Sequence, residues 1–220
     1  MKTRVVFTAA ALMLMPALAI AQDSGAETGV PTIGLGVSTF GPTLEGSVRF
    51  NDRLGARGLW AGYKTSGSER VDGIDYDADV SLGGVGLLVD YYPFESGLRV
   101  SGGYFISNTD FAGSATSSAG NPIDIGGTTV AVNETVSTNI EFARSSAPML
   151  TVGYDQDFGS NWTLTGEIGA IFTDGFDVTV DTSDGGVAAN DIANEVQSIE
   201  DELNDLNIYP YLSLKMSLRF

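Results

Sequence analysis

Eight charged residues sit at alternating positions within otherwise apolar segments: Glu45, Arg49, Arg57, Asp90, Arg99, Glu167, Lys215 and Arg219. Such groups can do three things. Paired, they fix strands in register. Strung along an axis, they line a narrow path for ions or small solutes. Held clear of cations, two carboxylates can divide acid and base work. A second constellation is Asp75, Asp77 and Asp79, which an extended chain places on one face. That face could take Ca²⁺ or Mg²⁺ through carboxylate oxygens. It is no EF-hand loop, because Val80 stands where the turn glycine belongs and Gly86 where the closing glutamate belongs. A solvated strand extension accounts for the three acids more simply.

Other chemistry is excluded by what is missing. The chain has no histidine and no cysteine. A serine hydroxyl without a base is a weak nucleophile, so no enzyme activity, catalytic residue or cofactor is expected. Disulfides and thiolate metal sites are impossible. The formal net charge of −17 argues against nucleic acid, whose phosphates need clustered Lys and Arg. Acidity of this kind belongs to solvated loops.

Residues 1–21 read as an export signal. Lys2 and Arg4 precede an apolar run from Val5 to Leu18, and Ala19-Ile20-Ala21 offers a small-x-small cleavage pattern. The run is short for a spanning helix, and Pro16 interrupts it. The remainder, residues 22–220, suits a single domain. Its dominant signal is a hydrophobic period of two. Ile208, Pro210, Leu212, Leu214, Met216, Leu218 and Phe220 share one face of the final segment, with Ser213, Lys215, Ser217 and Arg219 opposite. The pattern predicts strands over Thr32–Thr39, Thr43–Phe50, Leu54–Thr65, Val80–Tyr92, Leu98–Ser107, Phe142–Tyr154, Trp162–Phe172 and Ile208–Phe220. Eight strands is an even number, as single-chain bacterial barrels require.

Phe50-Asn-Asp-Arg-Leu54, Phe94-Glu-Ser-Gly-Leu98 and Phe158-Gly-Ser-Asn-Trp162 repeat one form: an aromatic, three turn-type residues, then a large apolar residue. They predict three short turns at one barrel end, with aromatics at a membrane interface. Thr109–Asn139 and Thr173–Asn207 predict long loops at the other end, and Ser66–Ile74 a moderate one. In the last long loop, Ile192, Val196, Ile199, Leu203 and Leu206 form one apolar stripe of a helix near Asn190–Leu206. It is expected to pack on the outer strand ends or the Thr109–Asn139 loop. There it would serve either as a lid or as a brace. The expected fold is therefore all-β: a closed antiparallel eight-stranded transmembrane barrel with one short helix in the last external loop. Charge on its lipid face is costly, so the eight charged residues should point inward.

The ending Tyr-Leu-Ser-Leu-Lys-Met-Ser-Leu-Arg-Phe, residues 211–220, resembles the final strand of bacterial outer-membrane barrels. The whole exported part is similar to the small eight-stranded group that includes the OmpA barrel, OmpX and OmpW. The resemblance implies that Phe220 belongs to the signal read by the barrel assembly machinery. It also implies outer-membrane lipid and lipopolysaccharide as surroundings. We expect a monomer with a structural or surface-interaction role through acidic external loops, where divalent cations could bind. The alternative is a narrow channel or carrier for small solutes, apolar ones included. A soluble ligand-binding barrel is a third option.

Overall fold

The computed structural model describes residues 28–71, 74–94, 96–117, 124–125, 128–129, 135–183, 189–203 and 207–220. The expected export segment and Leu206 lie outside these residues. The elements run β1 (Pro31–Ser38), β2 (Gly41–Arg49), β3 (Leu54–Val71), β4 (Ile74–Tyr91), β5 (Leu98–Ser107), β6 (Asp110–Thr116), β7 (Asp124–Ile125), β8 (Thr128–Thr129), β9 (Thr135–Phe142), β10 (Ser146–Phe158), β11 (Trp162–Phe172), β12 (Phe176–Thr182), α1 (Ala189–Leu203) and β13 (Ile208–Arg219). None of the described helices is long and apolar enough to cross a membrane.

Eight of the strands close into a barrel in the order β1-β2-β3-β4-β5-β10-β11-β13, every neighbour antiparallel. The seam joins the first strand to the last, with Thr32 opposite Arg219 and Ser38 opposite Ser213. Period-two alternation then sorts the side chains. Leu87 is 65 % exposed while Leu88 beside it is 3 % exposed. Leu35, Ile168 and Leu212 likewise face outward. Apolar outside and charged inside is the inverse of a soluble barrel, and it is the surface of a transmembrane one. The three predicted short turns gather at one end, here called proximal. There Phe50, Phe94 and Phe158 stand exposed, and the Asn51 side chain accepts hydrogen bonds from the Arg53 and Leu54 amides.

At the opposite, distal end the structure departs from expectation. β3 and β4 do not stop near Thr65 and Val80. They stay paired out to Val71 and Ile74, 18 residues each, so Ser66–Ile74 is mostly ladder and not loop. At about 3.3 Å per residue each strand is roughly 60 Å long, about twice the hydrocarbon thickness. The segments expected as loops hold β6, β9 and β12, which join β4 side by side. The result is a five-stranded sheet, β3-β4-β6-β9-β12, standing on the barrel rim. Asp174 and Gly175, with φ of 59° and 97°, turn the chain from β11 into β12, and Asp174 is ion-paired with Arg144.

This distal sheet has two unlike faces. Register aligns Asp110, Glu141 and Asp177 across β6, β9 and β12, on the face that carries Asp75, Asp77 and Asp79 of β4. The opposite face aligns Val80, Phe111, Ile140 and Val178. Helix α1 packs against β12 and reaches β7. Ile192, Val196, Ile199 and Leu203 are half-buried, and Val178 and Val180 of β12 are buried. The stripe thus finds cover on the distal sheet.

Burying such aliphatic side chains contributes on the order of 1.5–3 kcal/mol each when complete. Replacing Ile199 and Leu203 together by Asp should release α1 from β12. Hydrogen exchange should then show faster exchange across α1 with the barrel strands unchanged; unchanged exchange in α1 would mean the helix is not held by this stripe.

Candidate functional site

The barrel interior collects its charge in one layer. Six strands each contribute one residue: Glu45 from β2, Arg57 from β3, Asp90 from β4, Arg99 from β5, Glu167 from β11 and Lys215 from β13. All six are at most 4 % exposed. Arg57 is the hub. Its Nη1 donates to Glu45 Oε2 at 3.0 Å and to Glu167 Oε2 at 2.8 Å, and its Nη2 donates to Glu167 Oε1 and to Thr151 Oγ1. Its Nε lies 3.0 Å from Asp90 Oδ1 without hydrogen-bond alignment, so that contact is an ion pair alone. Lys215 Nζ donates to Glu45 and, at 3.0 Å, to Glu167. Arg99 reaches Asp155 at 3.3 Å, Glu167 at 3.5 Å and Asp90 at 3.8 Å.

Arg49 and Arg219 also line the interior but stand nearer the proximal rim, outside this layer. Arg219 lies 3.9 Å from Asp157, and the Arg49 guanidinium rests 3.5 Å above the centre of the Tyr92 ring. Asp155 and Asp157 lie beyond Tyr154, where the sequence pattern ends the strand. β10 continues to Phe158, and counting by two from buried Thr151 would have found both acids. Asp155 also accepts from Thr165 Oγ1 at 2.8 Å, and Asp157 from Thr163 Oγ1 at 2.6 Å.

Distal to the charged layer the interior turns apolar. Leu59, Leu88, Met149, Ile171 and Phe105 are buried, and Phe40 stacks on Phe105 at 4.8 Å between ring centroids. Tyr209 lies 4.8 Å from Phe40 and 5.5 Å from Phe142, which in turn meets Phe176 of the distal sheet at 5.4 Å. These rings fill the distal mouth. Proximal to the charged layer lies a chamber of about 310 Å³, opening among the short turns. From one end to the other the barrel therefore reads as open chamber, ion-paired layer and aromatic plug.

Chemically, the layer is a brace. Each carboxylate faces two or more cations or donors, which leaves none of them free as a base. Gly103 lets β5 and β4 come together, since a Cβ there would lie 1.9 Å from the Leu87 carbonyl oxygen. Asp75, Asp77 and Asp79 lie exposed on the distal part of β4, with Asp75 3.5 Å from Arg70. Among the described residues no group of three or more acidic side chains is placed to hold a metal ion.

The chain is similar in structure to CarO2 of Acinetobacter baumannii, with 18 % identity, a TM-score of 0.58 and coverage of 87 % of this chain and 99 % of that one. CarO of the same organism aligns with 19 % identity and a TM-score of 0.56 over 88 % of this chain and 98 % of its own. Ail, the attachment invasion locus protein of Yersinia pestis, gives 16 % identity and a TM-score of 0.41 over 88 % of this chain and 100 % of its own. At these identities the likeness to the two Acinetobacter barrels is one of fold. No protein-family model matches the chain, and no curated protein matches it in sequence.

Arg57→Ala would leave Glu45, Asp90 and Glu167 buried around an empty hub. Removing one partner of a buried ion-pair network costs roughly 3–5 kcal/mol, because the stranded charges remain. Urea unfolding of the refolded barrel in lipid vesicles should show a loss of that size, and a loss below about 1 kcal/mol would mean the layer is not a brace.

Proposed function

We propose that this chain is an exported, non-enzymatic outer-membrane barrel with a structural or surface-interaction role, carried by the distal sheet and its helix. Residues 1–21 direct export. The proximal end faces the periplasm, and the sheet stands outside the cell among lipopolysaccharide. The observation that carries this reading is the contrast along the axis. The exterior bears an apolar belt, the interior holds the buried charged layer and the aromatic cluster, and β6, β9, β12 and α1 lie beyond the distal rim. An interior occupied by packed side chains supports presentation of a surface over passage of a solute. The acidic face that carries Asp75, Asp77 and Asp79 would be part of that surface, where divalent cations could gather.

A narrow conduit would need the aromatic plug and the Arg57 layer to part together. In planar bilayers the purified protein should therefore give no steady single-channel conductance; a reproducible open level in the unmodified protein would favour the channel reading instead.

Assembly would run through the last strand, whose Phe220 is exposed beside the seam. The intact protein should fractionate with the outer membrane and migrate differently before and after heating. Deleting Phe220 should lower the assembled fraction. A protein that stays soluble in the periplasm would overturn the proposal.

A further inference from the structure

The proximal chamber has walls of unequal chemistry. Its acids are largely engaged: Glu45 with Arg57 and Lys215, Asp90 with Arg57 and Arg99, Asp155 with Arg99 and Thr165, and Asp157 with Thr163 and Arg219. Asp52, on the exposed β2–β3 turn, is the remaining acid at its mouth. The cations are not engaged to the same degree. Arg57, Arg99, Lys215 and Arg219 each face a carboxylate. Arg49 does not: among the described residues its half-buried guanidinium makes no ion pair or hydrogen bond, only the ring contact with Tyr92.

That contact uses the flat face of the guanidinium and leaves its planar edge of N–H donors unspent. The strand register places more donors beside it. Ser47, Thr32 and Arg219 stand in one cross-strand row over β2, β1 and β13, and Ser217 is two residues from Arg219 on the same face. The hydroxyls of Ser47, Thr32 and Ser217 make no side-chain hydrogen bond among the described residues, and all three line the chamber. A wall with a held guanidinium, three free hydroxyls and a second guanidinium weakly paired with Asp157 offers N–H and O–H donors that no carboxylate of the protein fully engages.

We infer that this wall binds a small oxyanion, a carboxylate or phosphoryl group, entering from the proximal end. Arg49 is the anchoring charge, positioned by Tyr92. Ser47, Thr32 and Ser217 donate to the remaining oxygens, and Arg219 closes the other side. The chamber volume of about 310 Å³ is enough for a small molecule. Preorganisation matters here, because a guanidinium already held on a ring loses little freedom when it binds. The site is independent of any passage through the barrel, since the Arg57 layer forms its floor.

The test uses the full exported chain refolded in maltoside micelles, which bring no phosphate, titrated separately with inorganic phosphate and with acetate. Calorimetry or NMR shifts should report one saturable site for at least one of the two anions, with a Kd of roughly 1 mM or tighter. The anion that binds identifies the group the site takes. Arg49→Gln should weaken binding by about tenfold or more, Tyr92→Leu by less, and Arg53→Gln, on the exposed turn, should leave it unchanged. Heat-modifiable migration checks that each variant is folded. If Arg49→Gln fails to assemble, the pair Thr32→Val with Ser47→Ala, which leaves the charge unchanged, must produce a comparable loss. No saturable response to either anion overturns the inference. So does wild-type affinity in a folded Arg49→Gln variant or, where that variant fails, in the hydroxyl pair.

Discussion

In hydrocarbon an unpaired backbone amide costs several kcal/mol, and the pairing of β1 with β13 is what removes the last row of them. Everything else follows from that seam. Closing eight strands fixes which side of each residue faces in, and the narrow bore forces inward side chains into contact. Six charged residues from six different strands then have little choice but to meet. The seam also sets the polarity of the molecule: β1 begins and β13 ends at the proximal rim, so the three short turns share that rim and the long excursions leave from the other.

The interior shows two ways of filling a narrow barrel, used in sequence along its axis. Where Arg57 holds three carboxylates, specificity of register is the gain, because a one-residue slip of any of the six strands that supply the layer would put a charge in lipid. Where Phe40, Phe105 and Tyr209 meet, the gain is packing, and the Tyr209 hydroxyl reaches the Thr39 carbonyl oxygen at 3.4 Å. The ion-paired layer is costly to desolvate and intolerant of single losses. The plug is tolerant and adaptable. Placing the rigid layer at mid-barrel and the adaptable one at the rim puts the stricter constraint where strand order must hold.

The barrel was legible in the chain because lipid imposes a strict code on it. Leu87 must face out and Leu88 in, and the same parity puts Glu45, Arg57, Asp90, Arg99, Glu167 and Lys215 on the inside. Where lipid ends, the code ends. Beyond Thr65 the outer face of β3 has no reason to be apolar, so Thr65-Ser-Gly-Ser-Glu-Arg reads as loop although it is a strand held by its neighbour β4. The strands β6, β9 and β12 also fall outside the eight expected ones: small polar residues blur the alternation in β6 and β9, whereas in β12 Phe176, Val178 and Val180 do alternate with Asp177, Thr179 and Asp181, a signal legible in the sequence and passed over inside a long acidic segment. Asp155 was missed differently: Tyr154, an exposed aromatic, looks like the interface residue that ends a strand, and the chain carries on past it. The position of Arg49, on a ring and clear of any acid, depends on how β2 and the β4–β5 turn meet, which no local pattern carries.

The uninterrupted run of β3 and β4 from one rim through to the tip of the distal sheet makes these two strands load-bearing members in the mechanical sense. A pull on the tip directed away from the barrel is carried straight into the staves, where it meets the β2–β3 and β4–β5 ladders along their length. Hydrogen bonds loaded in that direction resist together and do not peel one by one. β6, β9 and β12, which lie beside β4 without continuing as staves of the barrel, would give way first and leave β3 and β4 standing. Whatever the sheet grips, tension on it is carried by two continuous strands.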